Sequence, residues 1–321
     1  MGPQRVDRRG FLKSATLMAL AAGAGIRTGQ VRAQPSVPYS SGTEPPKLKL
    51  PSGACDCHMH IYDSRFPFAP SASLKPPDAH VQDYRALQKR LRTTRCVVVQ
   101  PSSYGTDNRC TLDAVEQLGA TARAVAVVDT SVSDAELKRL AQAGVRGIRF
   151  NLVQAGATSV EMLEPLSKRV NDLGWHVQIH MLADQIFEIK DLLQRLPSPI
   201  VFDHMGRIPA SASITHPAFG VISKLVDKGK TWVKLSGAYQ DSKVGAPSYA
   251  DMMGLAQAYV KAAPERMLWG SDWPHPTVKA DKPDDAALLD LLTDWAPDER
   301  TRQRILVSNP EALYGFAKSA A

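Results

Sequence analysis

No stretch of this 321-residue chain is apolar for long enough to hold a membrane helix. The Ala-rich run over residues 15–26 is about half of the roughly 20 residues a span requires, so a retained anchor is not expected. No glycine-rich dinucleotide or phosphate loop follows the first candidate strand, which leaves an open doubly wound sheet without its usual signature. No internal repeat or low-complexity tract stands out. Cysteine is scarce, at four residues. Cys55 and Cys57 lie two apart on a candidate strand, roughly 6 to 7 Å apart along the backbone, a poor geometry for a bridge. Cys96 and Cys110 are too far apart in sequence to judge, and all four read as small buried hydrophobes. Net charge is scarce too, once the N-terminus is set aside. Residues 1–33 carry five Arg, one Lys and one Asp, so of the chain's 39 basic and 32 acidic residues, 33 and 31 remain. Nucleic-acid binding thereby loses its main support.

What those first residues do contain is a pattern. Asp7-Arg8-Arg9-Gly10-Phe11-Leu12-Lys13 precedes the apolar run, and Val31-Arg32-Ala33 offers small residues for cleavage. Residues 1–33 thus resemble a twin-arginine export signal, and the expected location is the periplasm, with membrane contact only in transit. Residues 34–51 are rich in Pro, Ser and Lys and read as a flexible arm.

From residue 52 to 321 the pattern is regular and predicts one domain. Short β-rich apolar runs fall at 55–61, 96–100, 122–128, 145–150, 176–180, 200–202, 232–235 and 267–269. Helical spacing fills the intervals, at 81–91, 135–143, 160–173, 186–196, 219–226, 249–262 and 286–295. Ser133 with Glu136, and Thr158 with Glu161, have capping-box spacing, and Asn309 before Pro310 reads as an N-cap. Eight strands alternating with helices predict an α/β fold of the (β/α)8 TIM-barrel kind.

The chemistry-bearing residues collect at the C-terminal ends of the runs, where such barrels build their sites. His58 and His60 end the first run in Asp56-Cys57-His58-Met59-His60, and alternation puts both imidazoles on one face, toward the interior. His180 closes the fifth run. His204 follows the sixth in Asp203-His204-Met205-Gly206-Arg207, and Asp272 follows the eighth in Gly270-Ser271-Asp272-Trp273-Pro274-His275. Only a barrel brings such distant positions together. Arg149 and Arg207 offer paired donors suited to a substrate carboxylate, the plainer reading being strand-end salt bridges. Asn151, Gln100, Tyr62 and Tyr104 lie just beyond strand ends and are further pocket candidates. His80, His176 and His216 fall outside this set and read as structural or exposed, whereas His275 is close enough to orient catalytic groups.

On these stretches, together with Arg146-Gly147-Ile148-Arg149-Phe150-Asn151 and Lys234-Leu235-Ser236-Gly237, the chain resembles the amidohydrolase superfamily from about residue 54 to 316. The branch it resembles is that of 2-pyrone-4,6-dicarboxylate lactonase and D-galactarolactone isomerase. The resemblance implies a hydrolase of a small carboxylated lactone. Asp272 would activate water and later protonate the leaving oxygen, and His58, His60 and His180 would surround the carbonyl, with His204 grouped among the catalytic residues. Isomerisation, with a substrate hydroxyl attacking in place of water, is the alternative in the same site, and decarboxylation would more strongly demand a metal. A periplasmic binding protein with the barrel but no turnover is the alternative of another class. Binuclear members place a bridging Lys or Glu at the end of strand four, where this chain reads Arg149-Phe150-Asn151-Leu152, so a second metal is not expected. Two cofactor states stay open: none, or a single Zn held by His58, His60, His180 and Asp272.

Overall fold

The structure, a computed structural model, describes residues 1–2, 36–153 and 156–319. The chain divides into Met1–Ala33 and Gln34–Ala321. The export signal expected over 1–33 lies outside the described residues, apart from its first two.

Within Gln34–Ala321, eight strands form one parallel sheet in chain order. They are β1 (Cys55–Met59), β2 (Arg95–Val99), β3 (Ala122–Ala126), β4 (Val145–Asn151), β5 (His176–His180), β6 (Ile200–Phe202), β7 (Thr231–Leu235) and β8 (Met267–Trp269). Each expected run is one of these strands, with ends that differ by two residues at most. Helices such as Val81–Leu91, Asp134–Gln142, Leu163–Asn171, Pro217–Asp227 and Met253–Ala262 pack outside them, giving a (β/α)8 TIM barrel. Among the described residues no helix is long and apolar enough to cross a membrane.

The seam between β1 and the chain leaving β8 is closed by specific bonds. Asp272 N donates to His58 O at 2.7 Å, and His60 N donates to Trp273 O at 2.8 Å. The buried Asp56 carboxylate accepts from His58 N, Ser271 N, Ser271 Oγ (2.6 Å) and Tyr84 OH, tying both segments to the helix Val81–Leu91. A Cβ on Gly270 would fall 2.6 Å from His58 Cβ, so the close approach demands glycine.

Strand parity builds two shells of core. Outward residues such as Cys96, Val98, Ile148, Phe202 and Leu235 meet the helices. Inward residues Cys55, Cys57, Val97, Val99, Val125, Val201 and Leu268 fill the barrel floor with Trp232, Tyr314 and Phe316. Strict alternation would send the imidazoles of β1 to the side opposite the thiols of Cys55 and Cys57. The β1–β2 register shifts between Asp56 and Met59, and this irregularity turns His58 and His60 inward as well. All four cysteines are free and buried.

Several local expectations need correction. The stretch read as a flexible arm is strapped to the barrel over residues 36–50: buried Arg90 donates to Glu44 O and Ser41 O at 2.8 Å, and Trp273 Nε1 to Pro38 O at 2.8 Å. Its polar composition hid these anchors, because they run mostly through its backbone. Ser133 does cap its helix, accepting from Glu136 N at 3.1 Å. Thr158 caps nothing, since the first turn begins at Val160 with Ser159 before it. Asn309 is no N-cap either. A π-turn over Arg304–Ser308 runs straight into the helix Asn309–Tyr314, and the Asn309 amide donates to Pro264 O and Met267 O instead. The helix Arg109–Leu118 went unread because its buried face is made of Cys110, Thr111, Ala114 and Val115, a weak apolar signal.

Candidate active site

Asp272 sits among imidazoles at the C-terminal mouth of the barrel. It leaves β8 with a left-handed φ of 64°, held there by its N–H bond to His58 O. Its Oδ1 lies 3.4 Å from His58 Nε2 and 3.3 Å from His60 Nε2, and its Oδ2 lies 3.8 Å from His204 Nε2. Tyr239 OH and Gln240 Nε2 donate to Oδ2 at 2.5 and 3.0 Å. The far nitrogens of the rings are held too, His60 Nδ1 by Val99 O at 2.7 Å and His204 Nδ1 by Ser236 Oγ at 2.9 Å. His180 Nε2 faces Arg207 Nη1 at 3.1 Å.

Beneath this ring lies a buried layer of paired charge. Lys234, next to the C-terminal end of β7, donates from Nζ to Gln178 Oε1 at 2.7 Å and sits 3.2 Å from His58 Nδ1 and 3.6 Å from Asp203 Oδ1. Asp203 Oδ2 accepts from Arg149 Nε and Gln178 Nε2, both at 3.1 Å. Charges this deep persist only when paired, because desolvation of an isolated ion costs several kcal/mol.

The protonation states follow from these neighbours. Burial would raise the Asp272 carboxyl, but the imidazoles of His204, His60 and His58 outweigh it and hold the group well below the usual carboxylate range. Burial acts on Asp203 in the same sense and is likewise outweighed, by His58, Lys234 and Arg149. Burial pushes the His58 and His180 imidazoles well below their ordinary value and lowers His204 too. The arrangement biases the Asp272 carboxylate toward its ionised form and the His58, His180 and His204 imidazoles toward their neutral form, which suits general-base chemistry.

A pocket opens over Asp272, walled by His60, Tyr62, Arg149, Asn151, His180 and His204. His58 lies behind His60 and is fully buried. Three expected pocket residues do other work. Gln100 turns away to the loop carbonyls of Gly105 and Asp107 and to the Thr111 hydroxyl. The Tyr104 hydroxyl accepts from Asp63 N at 2.9 Å. Arg207 is clamped by Asp241, with Nε–Oδ2 at 2.8 Å and Nη2–Oδ1 at 3.2 Å, so it backs His180 and its carboxylate-gripping face is already taken. Lying past a strand end does not aim a side chain inward.

Lys234, Asp203, Gln178, Tyr239 and Gln240 went unassigned in the sequence. Lys234 did leave a signal: a cation inside the apolar run Trp232-Val233-Lys234-Leu235 needs a buried partner. Tyr239 and Gln240, in the short turn Ala238–Asp241, left none. His275 pairs with buried Asp285 at 3.2 Å and sets its ring edge-on to Tyr239, centroids 5.1 Å apart, so its ring meets the Asp272 carboxylate through that tyrosine while its backbone N donates to Asp272 O at 2.8 Å.

His58, His204 and Asp272 each offer a ligand atom, all within 4.8 Å of one another, a set that allows one divalent ion. Of the four expected ligands only His58 and Asp272 belong to it: His60 and His180 lie outside, the latter with the Arg207 guanidinium 3.1 Å from its Nε2, and His204 joins in their stead.

Comparison with known proteins adds three findings. The profile of the family described as Amidohydrolase matches residues 55–316. A 2-pyrone-4,6-dicarboxylate hydrolase of Comamonas testosteroni is 39% identical over 281 residues, 84% of this chain and 92% of its own, and the D-galactarolactone isomerase of Agrobacterium fabrum is 34% identical over 278 residues, 85% and 94%. A ligand-free crystal structure from Agrobacterium tumefaciens superposes with a TM-score of 0.81 at 32% identity, covering 88% of this chain and 99% of the other.

Proposed function

The chain belongs to the amidohydrolase family, and from that premise we propose that it hydrolyses a small carboxylated lactone by attack of water on the ring carbonyl. The observation that carries this reading is the buried Asp272 carboxylate, held toward its ionised form within a ring of imidazoles, below a pocket with Arg149 on its wall. In the first step a water oxygen bonds to the carbonyl carbon while its proton passes to Asp272. The carbonyl electron pair moves onto oxygen, toward imidazole N–H donors that stabilise the charge as it develops. Collapse of the adduct breaks the ring C–O bond, and Asp272 returns its proton to the leaving oxygen. Arg149 gives Nε to Asp203, which fixes the guanidinium and leaves its terminal nitrogens for a substrate carboxylate.

Isomerisation is the second reading, favoured by the 34% identical isomerase, and it needs only a substrate hydroxyl in place of water. For the cofactor we adopt none as required. If a single divalent ion were bound, His58, His204 and Asp272 would hold it, and it would supply a water of lowered pKa. The Arg8-Arg9 segment supports export to the periplasm as part of the same proposal.

The test is turnover of a panel of carboxylated lactones by the chain from Gln34 onward, with and without chelator, with products separated by chromatography. Ring-opened acid establishes the hydrolase, and a new lactone establishes the isomerase. Binding without consumption, unaffected by Asp272→Asn, would replace both with a binding protein.

A further inference from the structure

A groove beside the catalytic pocket carries charge of one sign. It shares Leu74 and Pro276 with that pocket and continues outward between the loop after β1 and the loop after β8. Its volume of ≈ 400 Å³ is in the range of small-molecule sites. Lys75, Lys279 and Lys282 line it, and no acidic residue does. The lysine ion pairs among the described residues are those of Lys168 and Lys234, so none of these three cations is paired with a carboxylate there.

Lys282 is held in place by the chain around it. Its Nζ donates to His275 O at 2.7 Å and to Val278 O, which leaves one of its three N–H donors for the groove. The ammonium also stands 5.9 Å from the ring centroid of Tyr39. Tyr39 is fixed in turn: its hydroxyl donates to Asp78 O at 2.5 Å, and its ring meets Trp273 edge-on with centroids 6.0 Å apart. Pro76, Pro77, Pro274 and Pro276 complete a stiff wall and bring no backbone N–H to it. The groove is thus apolar along its side and cationic in its polar contacts. In a barrel whose eight strands run in chain order, β4 stands opposite β8. Arg149 on β4 and the lysines of this groove therefore flank Asp272 from opposite sides of the mouth.

We propose that this groove is a second binding subsite, which takes an apolar arm of the substrate that ends in a carboxylate, while Arg149 takes the carboxylate on the ring. Tyr39 and the prolines cover the apolar atoms of the arm. Lys282 supplies the directed bond to its end, and the more exposed Lys75 and Lys279 supply an attractive field. The inference rests on the lactone reading and deepens it: the substrate is a lactone extended by an acidic arm, larger than the ring alone.

The test is binding, so it is independent of whether any lactone is opened; failure of the lactone reading shows in the turnover panel and leaves these titrations unchanged. The chain from Gln34 onward is titrated calorimetrically with straight-chain dicarboxylates from glutarate to sebacate, each beside the monocarboxylate of equal length. At the length that spans the mouth, the diacid is expected to bind about tenfold more tightly than its monoacid, the usual worth of a hydrogen bond to a charged group. In Lys282→Met that advantage is expected to vanish, and in Lys282→Arg, which keeps a cation, to persist. Diacids that bind no more tightly than monoacids at any length overturn the proposal, as does an advantage that survives Lys282→Met. If Lys282→Met loosens the loop it pins, read as lost monoacid binding, the double variant Lys75→Met/Lys279→Met decides: a diacid advantage reduced about threefold supports the subsite, and an unchanged one overturns it.

Discussion

The two ends of the barrel interior are built from the same strands and do opposite things with ionisable groups. At the floor, Cys55, Cys57, Val97, Val99, Val125, Val201 and Leu268 are sealed by Tyr314 and Phe316. Burial holds the Cys55 thiol and the Tyr314 phenol well above their ordinary values and pushes the His176 imidazole down to about 3. At the mouth, toward the C-terminal ends of the same strands, Lys234, Asp203, Arg149 and Asp272 are buried as well, yet Lys234 and Arg149 pair with Asp203, and Asp272 accepts directed hydrogen bonds from Tyr239 and Gln240. Burial is common to both ends, so burial is not what separates them. What keeps the carboxylates and cations of the mouth charged is a partner of opposite charge within reach, whereas burial lowers the mouth imidazoles of His58, His180 and His204 as it does His176 at the floor.

The largest effect expected of that contrast is on rate. Asp272→Asn removes the base while keeping its shape, and turnover of the lactone substrate should fall about a thousandfold, in line with the usual worth of general acid–base groups. The circular dichroism and melting of that variant should stay close to wild type; a variant retaining most of its turnover would dissolve the distinction between mouth and floor. Leu268→Ala should behave in the converse way, costing about 3 kcal/mol in denaturant unfolding through lost burial and a cavity in the floor, with kcat little changed. A matching loss of kcat would mean that floor packing sets the geometry of the mouth.

His176 sharpens the comparison through pH. Its folded value of about 3 lies below the ordinary 6.5, so the neutral form is the one the fold favours. The stability this contributes is whole above about pH 6.5 and drains away as pH falls toward 3, reaching a loss of about 3 kcal/mol by pH 4. Equilibrium unfolding of wild type and His176→Phe across that range should therefore show a steeper acid slope for wild type, and parallel slopes would refute the assignment. The smallest effect lies away from both ends, at the helix starts: Ser133→Ala should cost about 1 kcal/mol, whereas Thr158→Ala should be silent.

Much of the barrel could be read in advance for a definite reason. An inward or outward side chain is a property of its own strand, so runs such as His176-Val177-Gln178-Ile179-His180 announce both the strand and the end of it that carries chemistry. The same reasoning brought His58, His60, His180, His204 and Asp272 to one mouth. It failed for Gln100, Tyr104 and Arg207, which sit on turns where no period governs direction and where a local carbonyl or Asp241 captures the side chain. It was silent on Tyr239 and Gln240 because a four-residue turn has no period to read.

Local chain chemistry was thus enough to place eight strands, their order in a closed barrel and the ends where function gathers, since propensity and alternation act over a few residues. The surroundings of His58 were decided elsewhere. They depend on Lys234, 176 residues away and 3.2 Å from Nδ1, on Asp203 at 3.2 Å from the same nitrogen, and on a register shift in β1 that turns the ring inward. Such contacts exist only after closure of the barrel, because hydrogen-bond direction is set by distances of about 3 Å between strands and not by the order of residues along any one of them.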